Sequence, residues 1–351
     1  MKKTFLYSEH SKLNAKMIDF AGWLMPVYYS SIKDEALTVR NNVGIFDVSH
    51  MGNIFIESEE SQNFIEYIIT NKISDKINGK VVYSLLCNEN AGIIDDILVY
   101  KISEKKFLLI VNASNTEKDF NWIFAHSKKF NVNVKNLTDK YVLIAIQGPK
   151  SIEVVEKILN IDVKDLSYYS FKEIDSENLI SRTGYTGELG YEIFVKNEIG
   201  LNIWKKLLEN GIKPCGLGAR DVLRLEAGMP LYGNELSEDL NPFDAGVEKF
   251  VKFDKNFIGK EKLLKLKDSH KFKRIGFVME TQRIARHLSE IYNENYEKIG
   301  YVSSGTFSFY LNKSIGMGFI PKEFDSKKIK IKLQDKFYDA SIVEISFIKK
   351  F

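Results

Sequence analysis

Cysteine is nearly missing from this chain: Cys87 and Cys215 are the only two in 351 residues. They lie far apart, form no C-x-x-C and cannot build a disulfide framework, which fits a reducing compartment. Each sits beside apolar or glycine-rich sequence, where a buried free thiol is expected. Histidine is also sparse. His10, His50, His126, His270 and His287 show no i, i+4 pairing, and no spacing suggests a metal site, so no metal is expected. No stretch approaches the roughly 18 apolar residues of a membrane span. Met1-Lys2-Lys3-Thr4-Phe5 starts basic but lacks the apolar core of a secretory signal. An excess of one charge is missing too: 50 Lys+Arg against 47 Asp+Glu leave +3, mixed along the chain with no basic block. These absences disfavour nucleic acid and membrane as partners and point to a cytoplasmic protein.

What remains is ordinary globular material, 44% hydrophobic and long enough for two or three domains. Residues 52–138 read as one α+β unit. Strands are expected at Asn53–Glu57, Val81–Leu86, Ile93–Ile102 and Phe107–Val111, with a hairpin loop at Ser103–Lys106. Phe64, Ile65, Ile68 and Ile69 mark one face of a helix. Ser114-x-x-Glu117 reads as a capping box opening a second helix, with Phe120, Ile123 and Phe124 as its buried face. Residues 1–51 and 139–260 are assigned to a discontinuous unit. In it, strand Tyr141–Ile146 leads through Gln147-Gly148-Pro149 into a helix, and further helices lie at Leu201–Glu209 and Ala219–Glu226. Residues 260–273, rich in lysine, read as a linker. Beyond them, short strands predict a barrel or sandwich over 270–351; in Lys328–Leu333 lysines alternate with apolar residues, as in a half-buried strand.

Chemistry concentrates first at Asp95 and Asp96, inside the apolar run Ala91–Tyr100. Neighbouring strand residues point to opposite faces, so the two carboxylates cannot share one environment. A carboxylate facing an interior or a cleft raises its pKa or finds a partner, and often works as an acid, a base or a ligand anchor. The alternative is a turn carboxylate beside a strand-edge one.

Three further islands stand between apolar elements. Ser181–Glu192 has glycines at 184, 187 and 190, and such a turn either holds Tyr185 and Glu192 at a cleft or is a tight hairpin with a packed tyrosine. Gly216-Leu217-Gly218 lacks the remainder of a phosphate-loop signature. After it, Asp221 and Arg224 pair at i, i+3 on a helix, which leaves Arg220 free to receive a carboxylate, unless the helix is a plain charged surface. Asp19–Tyr29 and Phe46–Gly52 mix aromatics, methionine and small polar residues without strand or helix periodicity. That mixture suits a flat heteroaromatic ligand, and core packing explains it equally well.

Taken in order, Asp19–Tyr29, Val39–Gly52, Gly92–Tyr100, Gln147–Pro149, Arg182–Glu192, Gly216–Gly233 and Ser304–Ser308 resemble one family across nearly the whole chain: the aminomethyltransferases, or T-proteins, of the glycine cleavage system. The resemblance implies a multi-domain, cloverleaf-like α+β folate-binding fold with a C-terminal β-barrel domain. It also implies an activity. An aminomethyl carbon arrives on the lipoyl arm of the H-protein, tetrahydrofolate takes it up as methylenetetrahydrofolate, and ammonia leaves; H-protein and other glycine cleavage components would be the partners. By the same matching Asp96 is the catalytic group, Glu192 and Arg220 bind folate, and Met51, Tyr83, Tyr100, Asn112 and Tyr185 line the pocket.

The residues make chemical sense of this. Folate nitrogens gain positive charge as they attack carbon, and a carboxylate within hydrogen-bond distance stabilises that charge and takes up a proton. Departures from the family pattern are Leu189 for an aspartate, Ala91 for a glycine, Phe309 for a proline, and an ending at Lys349-Lys350-Phe351 where the family's tail adds a basic contact. A same-fold demethylase acting on a small sulfur or nitrogen compound is the competing enzyme. A non-catalytic folate-binding protein of iron–sulfur assembly would carry a cysteine in the glycine-tyrosine turn, which here reads Thr183-Gly184-Tyr185.

Overall fold

The computed structural model describes residues 1–348, so Lys349, Lys350 and Phe351 lie outside the described residues. Two large antiparallel-rich sheets, one two-stranded sheet and a closed barrel make up the α+β architecture of the described residues. The first sheet runs Lys80–Cys87, Ile93–Ser103, Lys106–Val111, Gly52–Glu57 and Asn133–Asn136 in spatial order, every pairing antiparallel. Helices Ser61–Ile68 and Thr116–Ser127 cover one face, burying Phe64, Ile65, Ile68 and Ile123 against Ile54, Ile97 and Phe107. The opposite face, through Val81, Tyr100, Leu108 and Ile110, packs on the second sheet.

That second sheet orders Phe171–Glu173, Leu179–Ser181, Gly190–Lys196, Tyr141–Gln147, Gly44–Asp47 and Lys213–Pro214; only its last pairing is parallel. Tyr141–Gln147 is buried at every residue because both its faces are covered. Phe46, Leu143, Ala145 and Phe194 face the first sheet, while Ile45, Ile144 and Ile146 face Trp204 and Leu207 of helix Asn197–Glu209. The barrel closes from Phe272–Met279, Glu290–Tyr292, Lys298–Ser308, Lys313–Pro321, Lys328–Leu333 and Lys336–Val343. Ile329 and Ile331 point inward between outward lysines, as their alternation requires. No helix among the described residues is long and apolar enough to cross a membrane.

Four expectations need correction. Asp19–Tyr29 is not aperiodic: Lys16–Phe20 and Trp23–Tyr28 form a hairpin around Ala21-Gly22, both at positive φ (52° and 79°). That tight turn usually announces itself with Asn-Gly, and alanine hides it. The capping box is not used. The helix starts at Thr116 with Asn115 as its cap residue and no side-chain cap, because the Asn115 amide goes to Asp95. Phe124 is exposed, stacked on Phe120 at the rim of the helix face. Finally, 260–273 is no linker throughout: Lys260–Leu266 is a helix whose Leu263 is fully buried against Leu85, Cys87 and Phe257.

The Ser304–Ser308 island joins the barrel to the rest. Arg224 donates to Ser304 Oγ and to Glu235 Oε2, both at 2.8 Å, and Ser308 Oγ donates to Glu226 Oε1 at 2.6 Å. Glu226 in turn takes Arg40 Nε at 2.8 Å, and Arg40 Nη1 donates to Glu188 Oε1 at 2.7 Å. Leu189 contributes only its carbonyl, to Gly148 N, so the missing aspartate leaves this network intact. Ala91 adopts φ +71°, the left-handed geometry that explains the glycine expected there.

Candidate functional site

A cavity of about 400 Å³ opens where both sheets meet the barrel and the loops 228–231 and 246–250. Asp96 stands on its wall. The strand Ile93–Ser103 pairs with Lys106–Val111 only from Leu98 onward, so the backbone around Asp95 and Asp96 is free of that neighbour. The chain beyond Val111 fills the gap with side-chain donors instead.

Asn112 is the central one. Its Nδ2 donates to Asp96 Oδ1 at 2.7 Å and to Asp95 Oδ1 at 2.9 Å, while its backbone N donates to Asp95 Oδ2 at 2.9 Å. Asn115 Nδ2 adds a bond to Asp95 Oδ1 at 2.6 Å. Asp95 is therefore fully buried and turned away from the cavity, as strand alternation demands. Near it lies Asp119, also fully buried, whose two carboxyl oxygens find no hydrogen-bond partner. Burial, followed by the charge of Asp95, pushes Asp119 far above the carboxylate range, so the proton resides there at neutral pH.

Asp96 points the other way, with Tyr83 Oη donating to its Oδ2 at 3.0 Å. Burial first and the Asp95 charge second raise it to about 7, against the opposing pull of the Tyr83 and Asn112 hydrogen bonds. The Tyr83 ring is itself pinned by Phe250, with centroids 4.5 Å apart.

Glu192 occupies the second wall, in the strand Gly190–Lys196 between Ser181 and Ala145. Thr183 Oγ1 donates to its Oε2. Thr183 Oγ1 and Ser181 Oγ are 2.7 Å apart, and Ser181 Oγ lies 3.1 Å from Tyr100 Oη, so a hydroxyl relay fixes the carboxylate from below. Burial raises Glu192, and Thr183 and Arg220 oppose that rise. The turn that carries Thr183 depends on glycine: a Cβ on Gly184 or Gly190 would collide with the buried Gln147 amide. Tyr185 Oη donates to the Pro230 carbonyl, and the Arg220 guanidinium lies over the Tyr185 ring, 4.6 Å from its centroid. As expected, Arg224 takes Asp221 at 2.7 Å, and Arg220 has no ion-pair partner among the described residues. His50 is fully buried edge-on to Phe20; burial first and Arg220 second lower it to about 3, so it stays neutral.

Of the eight residues singled out from sequence, Met51, Tyr83, Asp96, Asn112, Tyr185, Glu192 and Arg220 share this one cavity. Tyr100 does not line it. Alternation puts Tyr100 on the face of Asp96 and Leu98, but two residues further along it has passed the rim and lies beneath Ser181. From Phe46–Gly52 only Val48 and Met51 reach the cavity; Asp47 instead bonds His10 at 2.8 Å and Thr4 at 2.7 Å. Sequence reasoning missed Thr183, Lys249 and Arg274. Thr183 sits beside the glycine turn and was readable there; the two cations look like solvated surface in sequence.

Residues 6–255 match the GCVT N-terminal domain, and residues 273–349 match the glycine cleavage T-protein C-terminal barrel domain. The chain is 48% identical to the aminomethyltransferase of Thermosipho melanesiensis, over 99% of this chain and 98% of that protein. It is 46% identical to that of Caldanaerobacter subterraneus, over 100% and 96%. The crystal structure of glycine cleavage system aminomethyltransferase T from Bartonella henselae superposes with a TM-score of 0.96 at 31% identity, covering 99% of this chain and 98% of that one.

Proposed function

The chain belongs to the glycine cleavage T-protein family, and from that premise we propose how its cavity serves the aminomethyltransferase reaction. The protein is a folate-dependent aminomethyltransferase; the assignment of roles to residues is our reading. Asp96 is the catalytic group, and one observation carries that role. It is the carboxylate of the paired motif that reaches the cavity, it shares the cavity with Glu192 and Arg220, and its pKa is raised to about 7.

The cavity fits a reduced folate. Leu98, Ile110 and Leu143 give apolar walls beside the Tyr83 and Tyr185 rings that line the same cavity, and Glu192 offers a carboxylate to the adjacent N–H donors of an aminopyrimidine edge. Tetrahydrofolate supplies the amine nitrogens that accept the one-carbon unit. Asp96, oriented by Asn112 and Tyr83, stabilises positive charge developing at an amine and takes up its proton; near pH 7 it can both accept a proton and give one back. Thr183 holds Glu192, and the fork of Arg220 receives a carboxylate. Asn112, Tyr83 and Met51 complete the wall around Asp96.

The same proposal names lipoylated H-protein as donor of the aminomethyl group, with the other glycine cleavage components as associates, supported by family membership. It divides the chain into 1–51 with 139–260, 52–138 and 270–351, supported by the strand membership of the two sheets and the barrel. A cytoplasmic location is supported by Cys87 and Cys215, both free and buried. Full-length relatives named aminomethyltransferase favour this reading over the same-fold demethylase. Ammonia release from aminomethylated H-protein, dependent on added tetrahydrofolate, tests the reading; no release would refute it.

A further inference from the structure

Asp95 never reaches the cavity, yet its bonds end on the residue that does. The strand Ile93–Ser103 pairs with Lys106–Val111 only from Leu98 onward, so its edge at residues 93–96 is dressed by side chains. Lys118 Nζ donates to the Ile94 carbonyl at 2.8 Å, and Tyr232 Oη donates to the Ile93 carbonyl at 3.2 Å. Asn112 Nδ2 lies 3.1 Å from the Asp96 carbonyl. Asp95 fills the space behind this edge and accepts three N–H donors. Asn112 N donates to its Oδ2, and the Asn112 and Asn115 amides donate to its Oδ1. Only an acceptor on both oxygens fits: an asparagine here, in either orientation, would set N–H against N–H.

The Asn112 amide carries two N–H bonds. One lies on Asp95 Oδ1 at 2.9 Å, and the other is directed at Asp96, whose Oδ1 is 2.7 Å away. Asp95 therefore decides which way round the amide stands. Reversed, Asn112 would bring its carbonyl oxygen onto the Asp96 carboxylate, acceptor against acceptor. Asp95 also acts through space, because its charge is second only to burial in raising Asp96.

We propose that Asp95 is a positioning residue for the reaction, fixing the Asn112 amide so that its second N–H stays on the Asp96 carboxylate. The inference rests on the catalytic role of Asp96 given above. Other charges face Asp96 across the cavity: Glu192, Arg220, Lys249 and Arg274. Tyr83, Tyr168, Tyr169 and Tyr185, all raised by burial, stay neutral there. Asp119, with burial its leading cause, keeps its proton as well. Substituting Asp95 leaves every one of these groups in place.

The test is the pH profile of ammonia release from aminomethylated H-protein, with calorimetric titration of tetrahydrofolate beside it, for wild type and Asp95→Asn. The plateau of kcat above the acid limb is expected to fall about tenfold or more, since the amide of Asn112 turns and Asp96 is no longer held. Tetrahydrofolate affinity should stay within about twofold. Loss of the neighbouring negative charge favours ionised Asp96, so the acid limb should move down by about one pH unit. The exchange Asp95→Asn with Asn115→Asp keeps a buried carboxylate–amide pair and turns a donor toward Asn112. Its plateau should stay low, and it decides the matter should the single variant fail to fold. A wild-type plateau in Asp95→Asn, a limb that stays where it was, or turnover restored by the exchange overturns the proposal. So does a fall in kcat matched by an equal loss of folate affinity. Wild type without an acid limb, or Asp96→Asn with wild-type turnover, removes the reading of Asp96 itself.

Discussion

Tyr83 and Asp96 are joined by a 3.0 Å hydrogen bond in which the phenol donates to Oδ2, on the one edge of the Asp96 carboxylate that Asn112 leaves open. The bond stabilises the charged carboxylate and opposes the rise that burial imposes. Tyr83→Phe removes it without disturbing the ring contact with Phe250. Turnover at pH 7 is expected to drop about tenfold and to recover partly at higher pH, because Asp96 then holds its proton more tightly. A pH–rate profile of the variant against wild type checks this.

The wild-type enzyme should itself show an acid limb. Asp96 takes up a proton only when ionised, and its pKa is raised to about 7. Turnover should therefore decline as pH falls through that value, whereas an unperturbed aspartate would hold it constant down to about pH 4. The pH dependence of kcat at saturating folate reads this directly.

Asp119 is expected to limit stability at alkaline pH. Its folded-state pKa lies far above that of a free aspartate, through burial and then the Asp95 charge, with Lys118 opposing and Asp96 adding to the rise. A group raised in this way favours the fold below its unfolded value, and that contribution is lost as pH rises. Asp119→Asn keeps the shape of the side chain and cannot ionise. Its melting temperature should gain on wild type steadily between pH 5 and 9. Parallel curves would show that Asp119 holds no extra proton.

Arg40 links Glu188 and Glu226, all three nearly inaccessible to solvent. Removing it leaves two buried carboxylates without a cation, so Arg40→Met should destabilise the protein by about 3–5 kcal/mol. The midpoint of urea unfolding measures it.

Much of this molecule was readable because period-2 patterns survive where a sheet has one wet or one cavity-facing side. Ile329 and Ile331 between lysines, and Asp95 and Asp96 on opposite faces, follow from alternation alone. The arginine on Glu188 and Glu226, the Asn115–Asp95 bond and the hydroxyl relay through Tyr100 were not readable, since each joins residues distant in sequence. Local signals also competed. Ser114-x-x-Glu117 is a sound cap pattern, but the cap position fell to Asn115, whose amide serves Asp95. Arg274 sits beside Lys273 and near Lys271, so it reads as solvated charge; only strand parity turns it into the cavity.

Asp96→Asn measures the central claim most directly. The amide keeps the shape and the Tyr83 contact but cannot accept a proton. Assayed with aminomethylated H-protein, the variant should release no ammonia above background while binding tetrahydrofolate within about tenfold of wild type. Wild-type turnover by this variant would contradict the account.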